Sequence, residues 1–477
     1  MKAELKSATY FALKRALTDS NVYDHWQWFL RMQSRPANEL SVLQDTLLGS
    51  LCRSAVHGVP AYRARFDAAG LDSNAARIDR DAFSRLPLTT RQDLVDGGED
   101  FLNETAARSE LEVVSTGGST GSPLRVLRDA HARDWWLAST FLFNSWLGLR
   151  VGVPYLFLWG APEELERGKI WPKRLNLGFL HGRRTLESST MSADKERAHL
   201  NEINRQTDCD YLIGYANEIC NLATRSLDGG PRLNRPFKAV VTTAEDLTPS
   251  MRATIERAFG GRVINRYGSR ETGDLASECT YQRGLHVNPL FAYVEAADDA
   301  GRPLPPGEEG QLIITSLHNR AMPLIRYAIG DRGVLRAPEP CECGRTWPSI
   351  VALTGRTSDL VYLPDGVRLR AAALDAILET LPRLRRYQAY QEAEQRLLIK
   401  LKCAEPNYLE THRAALDEVA RKLRQYCNAP LSIMFEQTED AFHKTPAGKE
   451  LKIVRSPAFE AALRSVNPHE RGRDGSP

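Results

Sequence analysis

The segment Ser115-Thr116-Gly117-Gly118-Ser119-Thr120-Gly121-Ser122-Pro123 sets three glycines among five hydroxyl side chains, directly after the short apolar run Val113-Val114. Glycine leaves backbone N–H groups unshielded by Cβ atoms, and hydroxyls add further donors, so a strand feeding such a turn suits the oxygens of a polyphosphate. No Lys-Ser or Lys-Thr pair follows the last glycine, which separates it from the phosphate loop of kinases and GTPases. Tyr267-Gly268-Ser269-Arg270-Glu271-Thr272-Gly273 places a ring beside a turn, then a carboxylate able to hold Mg²⁺ and a hydroxyl able to meet an α-phosphate. In Tyr327-Ala328-Ile329-Gly330-Asp331-Arg332-Gly333, the carboxylate of Asp331 can accept hydrogen bonds from two vicinal ribose hydroxyls. Gly355-Arg356 offers a guanidinium to phosphate or ribose. In Lys444-Thr445-Pro446-Ala447-Gly448-Lys449 the last lysine follows a glycine turn, where a mobile domain would bring its ammonium to developing negative charge.

A second constellation joins Cys279 and His286 to Cys341-Glu342-Cys343-Gly344. Three thiolates and one imidazole complete the tetrahedral donor set of a structural zinc site, with no open position for catalysis. The Cys-x-Cys spacing differs from the usual Cys-x-x-Cys knuckle, so buried thiols and a core histidine with no metal between them are the alternative. Cys52, Cys209, Cys220, Cys403 and Cys427 show no ligand spacing and read as core.

These residues need a frame. Before residue 108 apolar residues recur three or four apart, as in Leu40-Ser41-Val42-Leu43-Gln44-Asp45-Thr46-Leu47-Leu48, which predicts helices. From about 111 to 335 strands alternate with helices; Pro154 to Trp159, Ala239 to Thr243 and Gln311 to Thr315 read as strands of an α/β sheet. A helix starting near Ala130 carries Trp135, Trp136, Phe141, Phe143 and Trp146, a cluster read as core or as a pocket wall. From about 360 to 455 the pattern is β, α, β, α, β, a small α+β domain including strands at 396–402 and 431–435. Asn467 to Pro477 is charged and bears glycine and proline, so it reads as a disordered tail.

The 477 residues carry 63 Lys+Arg against 60 Asp+Glu, a formal charge of +3, so no polyanionic partner such as nucleic acid is implied. There is no apolar stretch near the length of a membrane span, and Met1 to Lys6 lacks the hydrophobic run of a secretory signal. We therefore expect a cytoplasmic protein, in which eight sparse cysteines are free thiols or metal ligands rather than a disulfide scaffold.

Ser115 to Pro123, Thr243-Ala244-Glu245, Tyr267 to Gly273, Pro323-Leu324-Ile325-Arg326-Tyr327 through Gly330-Asp331, Gly355-Arg356 and Pro446 to Lys449 together resemble the ordered motifs of the adenylate-forming superfamily. Within it the chain resembles the phenylacetate-CoA ligase-like branch, which includes proteins associated with capsule and polysaccharide biosynthesis. The resemblance runs from about residue 40 to 455. It implies an α/β fold: a large N-terminal domain of mixed sheets and helices, with residues 1–108 its helical part and 109–357 its nucleotide- and substrate-binding part. A small mobile α+β domain at 358–456 and a disordered tail at 457–477 would follow.

The resemblance also implies roles. Ser115, Thr116, Gly117, Gly118, Ser119, Thr120 and Gly121 would cradle the β- and γ-phosphates of ATP, and Ala244, Glu245, Tyr267 and Gly268 would wall the adenine. Glu271 would hold Mg²⁺, Thr272 would touch the α-phosphate, Asp331 would bind ribose and Arg356 ribose or phosphate. Lys449 would stabilise charge as a carboxylate attacks the α-phosphorus and pyrophosphate leaves. The implied activity is that of an AMP-forming acid–thiol ligase acting on a small carboxylic acid, with coenzyme A as the leading acceptor. Transfer of the acyl group to an amine, transfer of AMP to a hydroxyl, and a zinc-stabilised nucleotide-binding protein without turnover are the alternatives. Some members of the branch carry a Cys/His cluster, which favours zinc at Cys279, His286, Cys341 and Cys343. Two departures stand out: Leu124 and Arg125 follow the loop proline where the family carries lysine or threonine, and Ser358 replaces the first aspartate of the hinge pattern Gly-Arg-x-Asp-Asp. Trp136, Phe143, Tyr215 and the strand end Asn265-Arg266 are the pocket-lining candidates.

Overall fold

A computed structural model describes residues 3–71, 78–116, 124–159, 178–188, 191–356, 360–370, 374, 377–378, 380–403, 405–443 and 450–466. They divide into two compact units, one of residues 3–116, 124–329 and 333–353, the other of residues 330–332 and 354 onward.

The first unit opens with helices α1 (Ala3–Thr18), α2 (Val22–Met32), α3 (Ala37–Gly58) and α4 (Pro60–Ala69). Their apolar spacing explains them. Val22, Trp26 and Phe29 put one buried stripe on α2, and Leu40, Leu48, Leu51, Cys52 and Ala55 do the same on α3. Pro60 starts α4, and Gly70, left-handed at φ 62°, ends it. The aromatic segment forms α5 (Ala130–Ser145), started by Asp129, whose Oδ1 accepts the Ala132 N–H at 2.7 Å. Phe141, Leu142 and Phe143 are buried in the main core, so most of this cluster serves packing.

An eleven-stranded sheet in the order β10-β11-β12-β13-β9-β8-β7-β6-β5-β3-β4 forms the body of the chain. One end is parallel: β3 (Tyr155–Trp159), β4 (Arg183–Glu187), β5 (Tyr211–Tyr215), β6 (Ala239–Thr243) and β7 (Arg262–Ser269). All five residues of β5 are buried, as expected of a strand covered on both faces by crossover helices. Those helices are α6 (Ala193–Arg205), α7 (Ala216–Leu227) and α8 (Pro249–Phe259). The other end comprises β8 (Gly273–Glu278), β9 (Leu285–Val287), β10 (Ala292–Ala297), β11 (Glu309–Ser316), β12 (Tyr327–Arg336) and β13 (Ser349–Arg356). β7 pairs antiparallel with β8, β8 with β9, and β9 with β13. A separate antiparallel pair, β1 (Glu112–Thr116) with β2 (Leu124–Arg128), brackets the glycine-rich segment, with Thr116 opposite Leu124.

The Pro-Leu-Ile-Arg-Tyr run is an anchor of this unit. Arg326 is 1% exposed and donates to Glu295 Oε2 at 3.2 Å, Leu86 O at 2.5 Å and Gly301 O at 2.7 Å, as well as to Ser84 O. Thr89 straps the same run: its N–H donates to Arg326 O at 2.9 Å and its hydroxyl to Ile325 O at 2.8 Å. A buried guanidinium with every contact made to carbonyls and one carboxylate is a structural device, satisfied where it sits.

The second unit is built on a four-stranded sheet, β18-β17-β16-β19. β16 (Leu384–Ala393) and β17 (Arg396–Cys403) form a hairpin, and β18 (Ser432–Gln437) and β19 (Ile453–Arg455) add in parallel on either side. Helix α9 (Arg413–Arg424) buries Leu416, Val419, Ala420 and Leu423 in this unit's core. The strands expected at 396–402 and 431–435 are present with helix between them. The short hairpin β14 (Leu360–Tyr362) with β15 (Arg368–Arg370), whose three-residue strands carry no legible period, and β16, which pairs directly with β17, enlarge the expected β, α, β, α, β order. Residues 457–466, grouped above with the tail, are instead helix α10 (Pro457–Val466). Ser456 Oγ accepts the Phe459 N–H at 3.2 Å, and the Phe459 ring lies 6.4 Å from that of Tyr362. Residues 467–477 lie outside the described residues. Among the described residues no helix is long and apolar enough to cross a membrane.

Candidate active site and metal centre

The parallel register brings three sequence-predicted segments into one row. Tyr215 at the end of β5 pairs with Thr243 at the end of β6, and Thr243 with Arg266 on β7, so Thr243-Ala244-Glu245 leaves its strand beside Tyr267-Gly268. This row is the carboxyl edge of the parallel strands, where open α/β sheets bind ligands. Ala244 takes a left-handed φ of 67°, which turns the chain away from the sheet. Glu245 Oε2 accepts the Asn217 N–H at 2.9 Å, so this carboxylate caps the first turn of α7 and fixes the Ala244-Glu245 backbone; that link joins two segments the sequence keeps apart.

Beyond a bulge between Tyr267 and Gly268, the chain turns at Ser269 to Thr272 into β8. A Cβ on Gly268 would lie 2.3 Å from Gly273 O, so only glycine closes this turn. Ser269 Oγ accepts the Thr272 N–H at 3.1 Å and lies 2.8 Å from Thr272 Oγ1, which holds the buried Thr272 hydroxyl in place. Glu271, half-buried, has no hydrogen-bond or ion-pair partner among the described residues. Just past the turn, Asp274 ties it to α5: its Oδ2 accepts from Thr140 Oγ1 at 2.8 Å and faces Arg266 Nη1 at 3.3 Å, while its carbonyl accepts from Ser139 Oγ at 2.9 Å. The sequence carried no signal for Asp274, Asn217 or Thr89.

The pocket-lining candidates divide. Phe143 is fully buried, with the Arg266 guanidinium 5.8 Å from its ring centroid, so both belong to the core. Tyr215 stacks on Trp159 at 4.2 Å and 21°, and Trp136 lies half-buried under Arg128 at 4.6 Å. Asp331 falls on β12 in the second unit, after Gly330 at φ 88°. Ser115 and Thr116 end β1, and Arg356 ends β13. Gly117, Gly118, Ser119, Thr120, Gly121, the hinge position Ser358 and Lys449 lie outside the described residues.

The cysteine–histidine set converges. One donor atom from each of Cys279, His286, Cys341 and Cys343 lies within 4.8 Å of every other. Cys279 Sγ is 3.8 Å from Cys341 Sγ, and Cys343 Sγ is 3.5 Å from His286 Nε2. With Zn–S near ~2.3 Å and Zn–N near ~2.0 Å, tetrahedral edges come to roughly 3.5–3.8 Å, so the donor set fits zinc. Cys279 follows β8, and β9 carries His286 opposite Ser277 on one side and Ser349 on the other. Cys341 and Cys343 sit in a tight turn in which Cys341 N donates to Arg345 O at 3.0 Å and Gly344 N to Cys341 O at 2.8 Å. Burial, and then the charge of Arg345, lower His286 to about 4, which keeps the imidazole in its neutral, ligating form. The arrangement joins two distant segments without leaving an open coordination position.

No protein-family model matches the chain. Among curated proteins it is similar to a phenylacetate-coenzyme A ligase of Thermus thermophilus, 26% identical over 413 residues that cover 81% of this chain and 87% of that one. It is also similar to Protein CapK of Staphylococcus aureus, 25% identical over 283 residues, covering 58% and 60% of the two chains. Among solved structures, a 2-hydroxyisobutyryl-CoA ligase in the postadenylation state superposes with a TM-score of 0.69 at 18% identity, covering 91% of this chain and 94% of that one. The row at the carboxyl edge of β5, β6 and β7 thus stands in a chain whose sequence is similar to phenylacetate-coenzyme A ligases and whose fold is that of a CoA ligase.

Proposed function

We propose that this chain joins a small carboxylic acid to coenzyme A through an acyl-adenylate. A carboxylate oxygen of the acid attacks the α-phosphorus of ATP, the bond to the β-phosphate bridging oxygen breaks, and pyrophosphate leaves. The thiol sulfur of coenzyme A then attacks the acyl carbon, AMP leaves with the bridging oxygen, and the thiol proton passes to solvent. Displacement at phosphorus needs little covalent help from protein, so positioning and charge stabilisation supply most of the rate.

The observation that carries this reading is the register of Tyr215, Thr243 and Arg266, which puts the Ala244-Glu245 backbone beside Tyr267 at the ligand-binding edge of the sheet. Adenine is assigned to that row. Glu271 is the carboxylate for Mg²⁺, a hard cation that takes one or two carboxylates together with phosphate oxygens and would neutralise charge on the phosphates. Thr272, its hydroxyl already oriented by Ser269, meets the α-phosphate. Ribose is assigned to Asp331, phosphate or ribose to Arg356, the β- and γ-phosphates to Ser115–Gly121, and the charge developing at the α-phosphorus to Lys449. Coenzyme A as acceptor is supported by the names of the relatives. Zinc is assigned to Cys279, His286, Cys341 and Cys343 as a structural ion, and three thiolate donors suit a reducing, cytoplasmic setting. Mass spectrometry of reactions quenched before coenzyme A is added tests the reading: acyl-AMP must accumulate in the parent protein and be lost in Lys449→Ala.

A further inference from the structure

In the second unit one buried amide has every hydrogen-bonding position in use. Gln388 lies in the middle of β16 and is 0% exposed. Its neighbour Ala389 belongs to the core on one face of the sheet, so Gln388 points to the other. There its Nε2 donates to His443 O at 3.0 Å and to Leu451 O at 2.5 Å. Its Oε1 accepts from the His443 N–H at 2.9 Å and from the Tyr390 hydroxyl at 2.6 Å. An amide side chain offers two N–H donors and an oxygen with two lone pairs, and here all four are filled. Neither a carboxylate nor a hydroxyl could replace it, since neither supplies two donors.

These partners are the two ends of one segment. Leu451 N also donates to His443 O at 3.0 Å, and Lys452 O accepts the Ala389 N–H at 2.9 Å. Arg386, two residues before Gln388 and so on the same face of β16, donates to Glu450 Oε1 at 2.7 Å in a largely buried ion pair. Glu450 and Leu451 directly follow Lys449, and successive Cα atoms stand about 3.8 Å apart. Anchoring those two residues therefore confines the backbone that carries the lysine. The Leu451–His443 bond already closes the connection, so a saturated amide and an ion pair spent on the same few residues do more than closure requires.

We propose that Gln388 and Arg386 are positioning residues for Lys449, holding its backbone where the ammonium can meet the charge developing at the α-phosphorus. The proposal rests on the role assigned to Lys449 above. The test separates the two half-reactions on the full chain. Its probes are the acid, from a panel of carboxylic acids, that releases pyrophosphate fastest with the parent chain, and the synthetic acyl-AMP of that acid. In Gln388→Met pyrophosphate release should slow about thirtyfold or more, because a displacement of about 1 Å can cost roughly a hundredfold. Transfer from the supplied acyl-AMP to coenzyme A, in which Lys449 has no assigned part, should stay within about twofold of the parent. Arg386→Met leaves the amide contacts in place and should show the same split, with pyrophosphate release slowed about fivefold or more; should Gln388→Met fail to fold, this variant decides. Equal losses in both half-reactions would leave the pair a structural role only, and that result, or unchanged pyrophosphate release in the folded variants, would overturn the proposal while the ligase reading stands. A parent chain that releases no pyrophosphate with any acid of the panel would overturn the ligase reading, and this proposal with it.

Discussion

Gly273 and Trp136 meet edge-on: a Cβ added to Gly273 would lie 1.8 Å from Trp136 Cδ1 and 2.5 Å from its Nε1, and Gly273 holds a left-handed φ of 83°. The aromatic helix therefore rests directly on the turn that carries Glu271 and Thr272. Gly273→Ala incurs both a left-handed backbone cost, about 1–2 kcal/mol, and overpacking of about 1–3 kcal/mol. The expected outcome is a lowered melting temperature and acyl-adenylate formation slowed by about tenfold or more. Adding Trp136→Ala should recover the steric part, and a double-mutant cycle of melting curves gives the coupling. Additive effects of the two substitutions would show that the contact does not hold the turn.

Glu271→Gln leaves the turn's shape intact and removes one charged ligand from a hard-cation site. The Mg²⁺ concentration for half-maximal pyrophosphate release should rise about tenfold or more, with the melting temperature unchanged. An unaltered Mg²⁺ titration would remove the residue from its assigned role.

Removing the zinc set should cost stability rather than chemistry. Purified protein should contain close to one zinc per chain by elemental analysis. Cys341→Ser should lose the ion and melt earlier, since metal binding to a folded site adds directly to folding free energy. Cys403→Ser, a buried thiol in the second unit's core, should keep the ion. Trace zinc in the parent protein would discard the site.

His318 supplies a pH test. It is stacked on Trp135 at 3.9 Å, hydrogen-bonds Leu290 O through Nε2 at 2.7 Å, and is lowered to about 3, first by burial, with His131, His25 and Arg320 adding repulsion against the opposing pull of the Leu290 carbonyl. A base whose folded pKa lies below its unfolded value of 6.5 contributes stability that is complete above pH 6.5 and lost as pH falls from there towards 3. Between pH 7.5 and 5 the loss from this residue is about 2 kcal/mol at about 1.4 kcal/mol per pH unit. Urea denaturation should show His318→Phe, which keeps the stack, losing less stability over that range than the parent. Parallel pH profiles for the two proteins would contradict this assignment.

Much of this was legible in the sequence, and the reason is periodicity. The strands at 155–159, 239–243 and 309–316 and the helix at 130–145 each carry an uninterrupted pattern with a turn or cap at one end. The Cys/His set was legible as chemistry, since four soft or borderline donors are few enough to pair by type. What was hidden is long-range. Nothing local in Glu245 predicts that it caps the helix starting near Asn217, nor in Arg326 that it fastens Ser84, Leu86 and Gly301 from inside the core. The same holds for Trp136, whose place on Gly273 follows from β8 lying against α5 and has no trace in either segment.

The central claim is acid activation at the α-phosphorus followed by transfer to a thiol. Incubating the chain with Mg·ATP and a panel of aromatic and aliphatic carboxylic acids, with and without coenzyme A, and quantifying AMP, ADP and pyrophosphate measures it directly. The account predicts acid-dependent AMP and pyrophosphate in equal amounts, with turnover sustained only when coenzyme A is present and matched by acyl-CoA. Acid-dependent ADP and inorganic phosphate, or AMP formed with no acid present and no acyl-CoA, would contradict it.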